Sequence, residues 1–303
     1  MAGTPSDVVG ELMDRVGEGR WTELAGLYAE DALVEHPLRR TWVAGRTAIG
    51  QRFAALGKAA LKSYDVVLHA TTDPEVVVAE YGTRGPGFTA ATVQVVRVRD
   101  GLITHSRDYH DHLRMAVARG DVDELAERIA KGVAEESFGA TPATAPPARP
   151  VAPGPPVSEP QEGSRCAVLI RLLDSISAPN PASRADLYAD DAYVTHPFHP
   201  TAPALTGREE LRQHFARGGG EGLRPRNVVF HEGVDPELII AEFEYVGTAG
   251  TGNPVLATNV FVTRVRAGLI VESRDYADHV ALAVATGQLP ALVEATRSVM
   301  GQA

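Results

Sequence analysis

Two pairs of residues in this chain have types that suit proton transfer: His36 with Asp108, and His196 with Asp275. Imidazole titrates near neutrality, and a carboxyl whose pKa is pushed upward can exchange a proton in the same range. Asp is disfavoured in strands and costly to bury as an anion, so an Asp kept twice in an apolar strand asks for a use. Both acids stand in one repeated stretch. Ser106-Arg107-Asp108-Tyr109-His110-Asp111-His112 returns as Ser273-Arg274-Asp275-Tyr276-Ala277-Asp278-His279, and Gly101-Leu102-Ile103 returns as Gly268-Leu269-Ile270 at the same offset of 167. The structural alternative is a strand pair between each Asp and its neighbour, Arg107 or Arg274, or backbone bonding at the strand end.

Other candidates divide by how well the second copy keeps them. Asp111 and Asp278 precede apolar helical runs, where a carboxylate caps free N–H groups; substrate binding is their alternative role. Tyr109 and Tyr276 flank the acids as further substrate-binding candidates. Tyr81 could line a pocket, although Phe243 replaces it in the second copy. Glu80 and Glu242 recur on a long strand, as expected of a solvent-facing position. His105, His110 and His112 crowd around Asp108, but the second copy keeps only His279, so no tight ligand set recurs and no metal is expected. No glycine-rich nucleotide loop and no G-x-S-x-G elbow is present, which leaves nucleotide binding and serine hydrolysis without support.

The elements that must position these groups follow from hydrophobic spacing. Val8, Val9, Leu12, Met13 and Val16 predict a helix over 7–16, capped by Ser6 and ended by Gly17 and Gly19. A short helix over 21–29 precedes a strand over 32–36, stopped by Pro37. That strand puts His36 on the same face as Val34, and the repeat does the same for His196 and Val194. A helix over 46–61 follows, and then the period changes to two. Residues 64–70, 75–83, 89–99 and 102–109 predict an antiparallel meander with turns at Asp73-Pro74, Arg84-Gly85-Pro86-Gly87 and Asp100-Gly101. A helix near Asp111 and another over 121–136 close the unit. Segregated helices and strands indicate α+β. In the second copy the offset grows from 162 to 167 between the second and third long strands, so five extra residues belong in a hairpin loop near 245–254.

Eight prolines between Pro142 and Pro160 mark residues 137–164 as a semi-rigid tether between a first domain, 1–136, and a second, 165–303. A net charge of −10 argues against nucleic-acid or anionic-membrane partners. Cys166 is the sole cysteine, the N-terminus lacks a secretory pattern, and no apolar run approaches ~20 residues. A soluble cytoplasmic protein is the expectation.

Leu27-Tyr28-Ala29-Glu30-Asp31-Ala32 with His36-Pro37, Gly45-Arg46, Asp73-Pro74-Glu75 through Tyr81, and Gly101-Leu102-Ile103 leading to Arg107-Asp108-Tyr109 resemble the nuclear-transport-factor-2-like superfamily. The likeness is closest to the SnoaL-like cyclases and the phenazine-biosynthesis A/B proteins, and the second half shows the same set. The resemblance implies two tandem cone-shaped α+β barrels, each a curved and mostly antiparallel sheet wrapped on helices around an apolar pocket, and a pairing of the two halves as an intramolecular pseudo-dimer. It further implies acid/base catalysis on an apolar polyketide-like or aromatic small molecule, with no cofactor. In phenazine-type relatives the acid lies on the last strand, matching Asp108 and Asp275; in the cyclases it could map to Asp111 and Asp278. Steroid-isomerase relatives carry Asp where this chain has His36 and His196, which disfavours that activity. Polyether epoxide hydrolases of this superfamily use a second carboxylate per pocket, and a non-catalytic binding or scaffold role is the remaining alternative.

Overall fold

The computed structural model describes residues 3–131, 135–136, 161 and 163–301. Most of the 137–164 stretch read as a tether lies outside the described residues. The described residues form two compact units, those from 3 to 136 together with 293–301, and those from 161 to 292.

In the first unit, α1 (Pro5–Glu18) starts two residues earlier than a Ser6 cap would allow. Thr4 caps it instead: its hydroxyl accepts from the Asp7 N–H while the Asp7 carboxylate accepts from the Thr4 N–H, a reciprocal box, with Pro5 at the first helical position where no N–H is needed. Trp21–Leu27 is a 3-10 turn and not an α-helix, and it ends early because β1 (Tyr28–His36) begins at Tyr28. A second 3-10 turn, Pro37–Arg39, leads into β2 (Thr41–Ala44), a strand that sequence periodicity missed. Next come α2 (Arg46–Gly57), β3 (Lys62–Ala70), β4 (Val76–Gly85), β5 (Phe88–Arg99) and β6 (Leu102–His110). The unit closes with α3 (His112–Arg119), α4 (Val122–Lys131) and the two-residue β7 (Glu135–Glu136). The sheet order is β3-β4-β5-β6-β1-β2-β7. The meander β3 to β6 is antiparallel as expected, but β1 joins β6 in parallel, pairing Val34 with Ser106 and Glu35 with Arg107. This pairing lays the His36 end of β1 beside the Asp108 end of β6.

The second unit repeats this plan: α5 (Arg165–Asp174), β8 (Tyr188–Thr195), β9 (Leu205–Thr206), α6 (Arg208–Ala216), β10 (Leu223–Glu232), β11 (Leu238–Thr248), β12 (Pro254–Arg266), β13 (Leu269–Tyr276) and α7 (His279–Thr286); α8 (Leu289–Met300) begins in this unit, and its residues from Val293 on belong to the first. Its sheet runs β10-β11-β12-β13-β8-β9, again with one parallel pair, β13 with β8. Both sheets are mixed and end in free strand order, so neither is a closed barrel. The β11–β12 connection spans 249–253, three residues longer than Pro86-Gly87 between β4 and β5, and the extra pair Thr248 and Pro254 lengthens the two strands, which together locate the five added residues at this hairpin.

Two local devices repeat and fix each helix against its first strand. Gly45 and Gly207 stand before α2 and α6 at φ 85° and 83°, a region that other residues avoid. Their N–H groups donate to the carbonyls of Ala32 and Ala192, both at 2.7 Å. The following Arg46 and Arg208 reach back with Nε to the carbonyls of Tyr28 and Tyr188 at 2.6 and 2.7 Å. A Cβ on Gly207 would sit 2.9 Å from the Asp190 carbonyl oxygen, against 3.6 Å from the Glu30 oxygen for Gly45. Both Gly→Ala variants should lose about 1–2 kcal/mol to left-handed strain, and Gly207→Ala should lose more. Urea denaturation checks this; equal losses would show that φ alone sets the cost.

Inside the first unit, α1 and β1, β4 and β5 enclose Val9, Leu12, Leu24, Tyr28, Val43, Ile49, Val77 and Val96, all buried. Glu80 and Glu242 depart from expectation: neither faces solvent. Each is buried and paired with a histidine across the hairpin, Glu80 with His69 Nε2 at 2.6 Å and Glu242 with His231 Nε2 at 2.8 Å. A buried carboxylate needs such a partner, which explains why both copies keep the pair.

Candidate active site

Strand alternation sets the site. On β6, Ser106, Asp108 and His110 project to one face and Arg107 and Tyr109 to the other. The first face looks into a cavity of about 560 Å³ lined by residues of α1, β1, α2, β4, β5, β6 and α3, among them His36, Tyr81, Asp108 and His110.

Asp108 is buried at the cavity wall. Its Oδ1 accepts from Gln94 Nε2 at 2.8 Å, and from the Ser106 hydroxyl by a very short bond. Burial pushes its pKa up, while these two donors and the Arg52 guanidinium pull the other way. His36 is buried with neither ring nitrogen bonded, and burial first, then the charge on Arg52, holds its pKa well below the ordinary value. It is therefore a neutral imidazole at pH 7, with one donor and one acceptor uncommitted. His110, its ring tilted against His36 at 5.9 Å, contacts the Thr92 hydroxyl through Nδ1 at 3.1 Å and is pushed down to about 4 by burial. One ligating atom each from His36, Asp108 and His110 lie within 4.8 Å of one another. Two imidazoles and a carboxylate could hold a cation, but the trio differs from the His105–His110–His112 cluster considered from sequence, and the Arg52 charge acts on all three members. Ala277 stands in place of His110 in the second unit.

The remaining sequence candidates separate. Tyr81 lines the cavity, and burial together with the nearby Asp108 charge keeps its hydroxyl protonated. Tyr28, not singled out from sequence, does the same from the start of β1. Tyr109 lies on the opposite face of β6, fully buried, accepting from Arg107 Nε at 3.0 Å. Tyr276 likewise turns away and packs on Phe198 at 5.0 Å. Strand alternation alone could have excluded both tyrosines. Asp111 and Asp278 cap α3 and α7, accepting from the N–H groups of Arg114 at 3.1 Å and Ala281 at 2.9 Å. His105 points away from Asp108, bonded to Glu35 at 2.6 Å, because its odd position puts it with Arg107 and Tyr109. Gln94, Arg39 and Arg52 are cavity residues that sequence reasoning missed. A signal existed for each, since the second copy carries Phe261, His199 and His214 at those positions.

The second unit keeps the acid but changes what surrounds it. Asp275 is buried, accepts from the Ser273 hydroxyl, and is pushed up to about 7 by burial. The positions of Tyr81, Thr83 and Gln94 are taken by Phe243, Tyr245 and Phe261, all buried, with Phe243 4.9 Å from each of the other two rings. His196 stacks on His214 at 5.9 Å and meets His279 at 6.3 Å.

Comparison with known proteins follows the same duplication. Residues 9–106 and 169–273 each match the SnoaL-like domain. Similar solved structures include a candidate isomerase from Bacillus subtilis, 23% identical over 38% of this chain and 92% of that one, TM-score 0.36. A phenazine biosynthesis-related protein from Pseudomonas aeruginosa is 15% identical over 38% and 80%, TM-score 0.34. The epoxide hydrolase/cyclase-like enzyme SalBIII, with a role in pyran ring formation in the polyether salinomycin, is 20% identical over 35% and 89%, TM-score 0.33. No curated protein matches the chain. No helix among the described residues is long and apolar enough to cross a membrane. Two family matches that together span most of the sequence make this chain a member of the SnoaL-like domain family, within the nuclear-transport-factor-2-like superfamily, carrying the domain twice.

Proposed function

We propose that the first unit is an acid/base enzyme of secondary metabolism, working without metal or organic cofactor, that cyclises, condenses or isomerises a small molecule with a mostly apolar body. The observation that carries this reading is the buried Asp108 carboxyl beside an uncommitted neutral His36 on the wall of an open cavity. Asp108 takes a proton from a carbon next to a carbonyl. The N–H of His36, or the hydroxyl of Tyr81 or Tyr28, donates to the enolate oxygen as charge develops there. Asp108 then returns the proton, either to another carbon or to the product of ring closure, so the enzyme ends as it began. A fixed guanidinium from Arg52 beside the His36, Asp108 and His110 atoms disfavours a bound cation, which supports proton transfer over metal chemistry there.

Solvent exchange tests the reading directly. Aryl ketones and β-dicarbonyl compounds incubated with the protein in deuterated water should gain deuterium at the carbon next to the carbonyl. Ligands that demonstrably bind yet never exchange would favour the non-catalytic binding role. Gln94→Leu removes one of the two donors that stabilise the Asp108 carboxylate. It should move the acidic limb of the exchange-rate profile upward by about one pH unit, and an unmoved limb would mean that Asp108 does not set that limb. Epoxide opening is less favoured: the other acid on the cavity wall, Asp121, is bound to Arg119 Nε at 2.9 Å.

A further inference from the structure

The cavity of the first unit is cationic, although the chain carries a net charge of −10. Its lining includes Arg39, Arg52, Lys62, Arg119 and Arg128, against Asp108 and Asp121. Some of this charge is already answered, since Arg119 binds Asp121 at 2.9 Å and Arg128 binds Glu124 at 2.7 Å. Arg39 is different. It arrives from the 3-10 turn after β1, no ion pair involves it among the described residues, and its buried Nε has no hydrogen-bond partner. Burial holds its pKa down at about 10, and the charges of Arg119, Arg128 and Arg52 add to the effect, with Asp121 opposing them. Arg52 links this cluster to the chemistry, since its charge bears on Asp108 on one side and Arg119 on the other. Guanidiniums gathered in a part-buried cavity repel one another, and an oxyanion among them would relieve that repulsion and make charge-assisted bonds.

The duplication supplies an internal control. In the second unit the positions of Arg39, Arg52 and Arg119 are held by His199, His214 and Thr286. His199 and His214 have pKa values lowered by burial, so they are neutral at pH 8. The same fold is thus made without the cationic cluster, and the arginines are not required by the architecture.

We propose that the first unit's cavity selects an organic anion, an apolar body ending in an oxyanion head group that seats against Arg39 and Arg52 while the body lies along Leu12, Met13, Val16 and Trp21. This assignment rests on the reading of the cavity as a substrate site, and it narrows that substrate from apolar to amphiphilic and negatively charged.

Binding measured without turnover separates the two claims. Trp21 lines the cavity, so quenching of tryptophan fluorescence reports occupancy with 2-naphthoate, 2-naphthyl phosphate and the neutral isostere 2-naphthamide as probes. At pH 8 at least one of the anions should bind about tenfold tighter than the amide or better. The tighter of the two identifies the head group as carboxylate or phosphate. The preference should shrink as salt rises from about 0.05 to about 0.5 M. It should persist in Asp108→Asn, which removes the proposed base and leaves the arginines. The double variant Arg39→His/Arg52→His, which copies residues this fold already accepts, should lose the anion preference and keep its affinity for the amide. Equal binding of all three probes by the unaltered protein, or a preference untouched by the double variant, overturns the inference and leaves the proton-transfer reading standing. A preserved preference with no exchange activity has the opposite meaning.

Discussion

Asp108→Asn is expected to lower the exchange or turnover rate by about a thousandfold, while Asp275→Asn leaves it within about twofold of the unaltered protein. The two acids occupy equivalent places in two copies of one fold, so the difference lies wholly in their surroundings. Asp108 opens on a cavity of about 560 Å³ with His36 and His110 at hand. Around Asp275 the positions of Tyr81, Thr83 and Gln94 are filled by Phe243, Tyr245 and Phe261, with Phe243 packed on both of the other rings, and the His110 position is Ala277. Asn keeps the shape of Asp and its Oδ1 acceptor, so Gln94 and Ser106 retain a partner and the fold should stand. Steady-state rates of the two single variants and the double variant decide the matter. Equal losses from both single variants would mean two working sites, and no loss from either would remove Asp108 from the chemistry.

The same replacement in the second unit should have a large effect of another kind. Asp275→Asn is expected to stabilise the protein at pH 8, with a ceiling of roughly 4 kcal/mol, from a folded pKa of about 7 against an ordinary 3.8. A carboxyl whose folded pKa exceeds its unfolded value holds its proton more tightly in the native state. The contribution of Asp275 to native stability is therefore greatest below about 4, falls as pH climbs to about 7, and is flat beyond, where the buried group is ionised in both states. Asn carries no charge to desolvate and removes this slope; the cost of burying its amide keeps the gain below the ceiling. Asp111, also pushed up to about 7 by burial, contributes a slope over the same window that Asp275→Asn leaves in place. Urea midpoints of the unaltered protein and the variant at pH 5 and pH 8 measure the effect. A variant less stable at pH 8 would show that the Asp275 carboxylate is compensated by neighbours. Retention of a destabilising acid beside packed aromatic rings is what a duplicated site would leave behind once its surroundings had changed.

The overall charge of the chain is a poor guide to its site. A net −10 argues against a nucleic-acid surface, yet the cavity wall carries five cationic residues and two acids. Net charge is a sum over the surface, whereas a substrate meets the few side chains that converge on it. Arg39 and Arg52 stand out only when the copies are set side by side.

The sequence by itself determined the duplication, the α+β order of elements, the Pro-rich stretch and the shared face of Ser106, Asp108 and His110. Each of these depends on local geometry: a repeat is read residue by residue, and strand alternation is a property of the extended backbone. Alternation also held enough to exclude Tyr109 and Tyr276 from the Asp face. Only the tertiary structure decided that β1 lies parallel to β6, which brings His36 to Asp108 across the full length of the unit. It also decided that Gln94, Tyr28, Arg39 and Arg52, from four separate elements, meet around one cavity, and that aromatic rings fill the matching positions of the second unit. Those facts depend on sheet order and on which side chains converge from distant segments, and no local spacing encodes either.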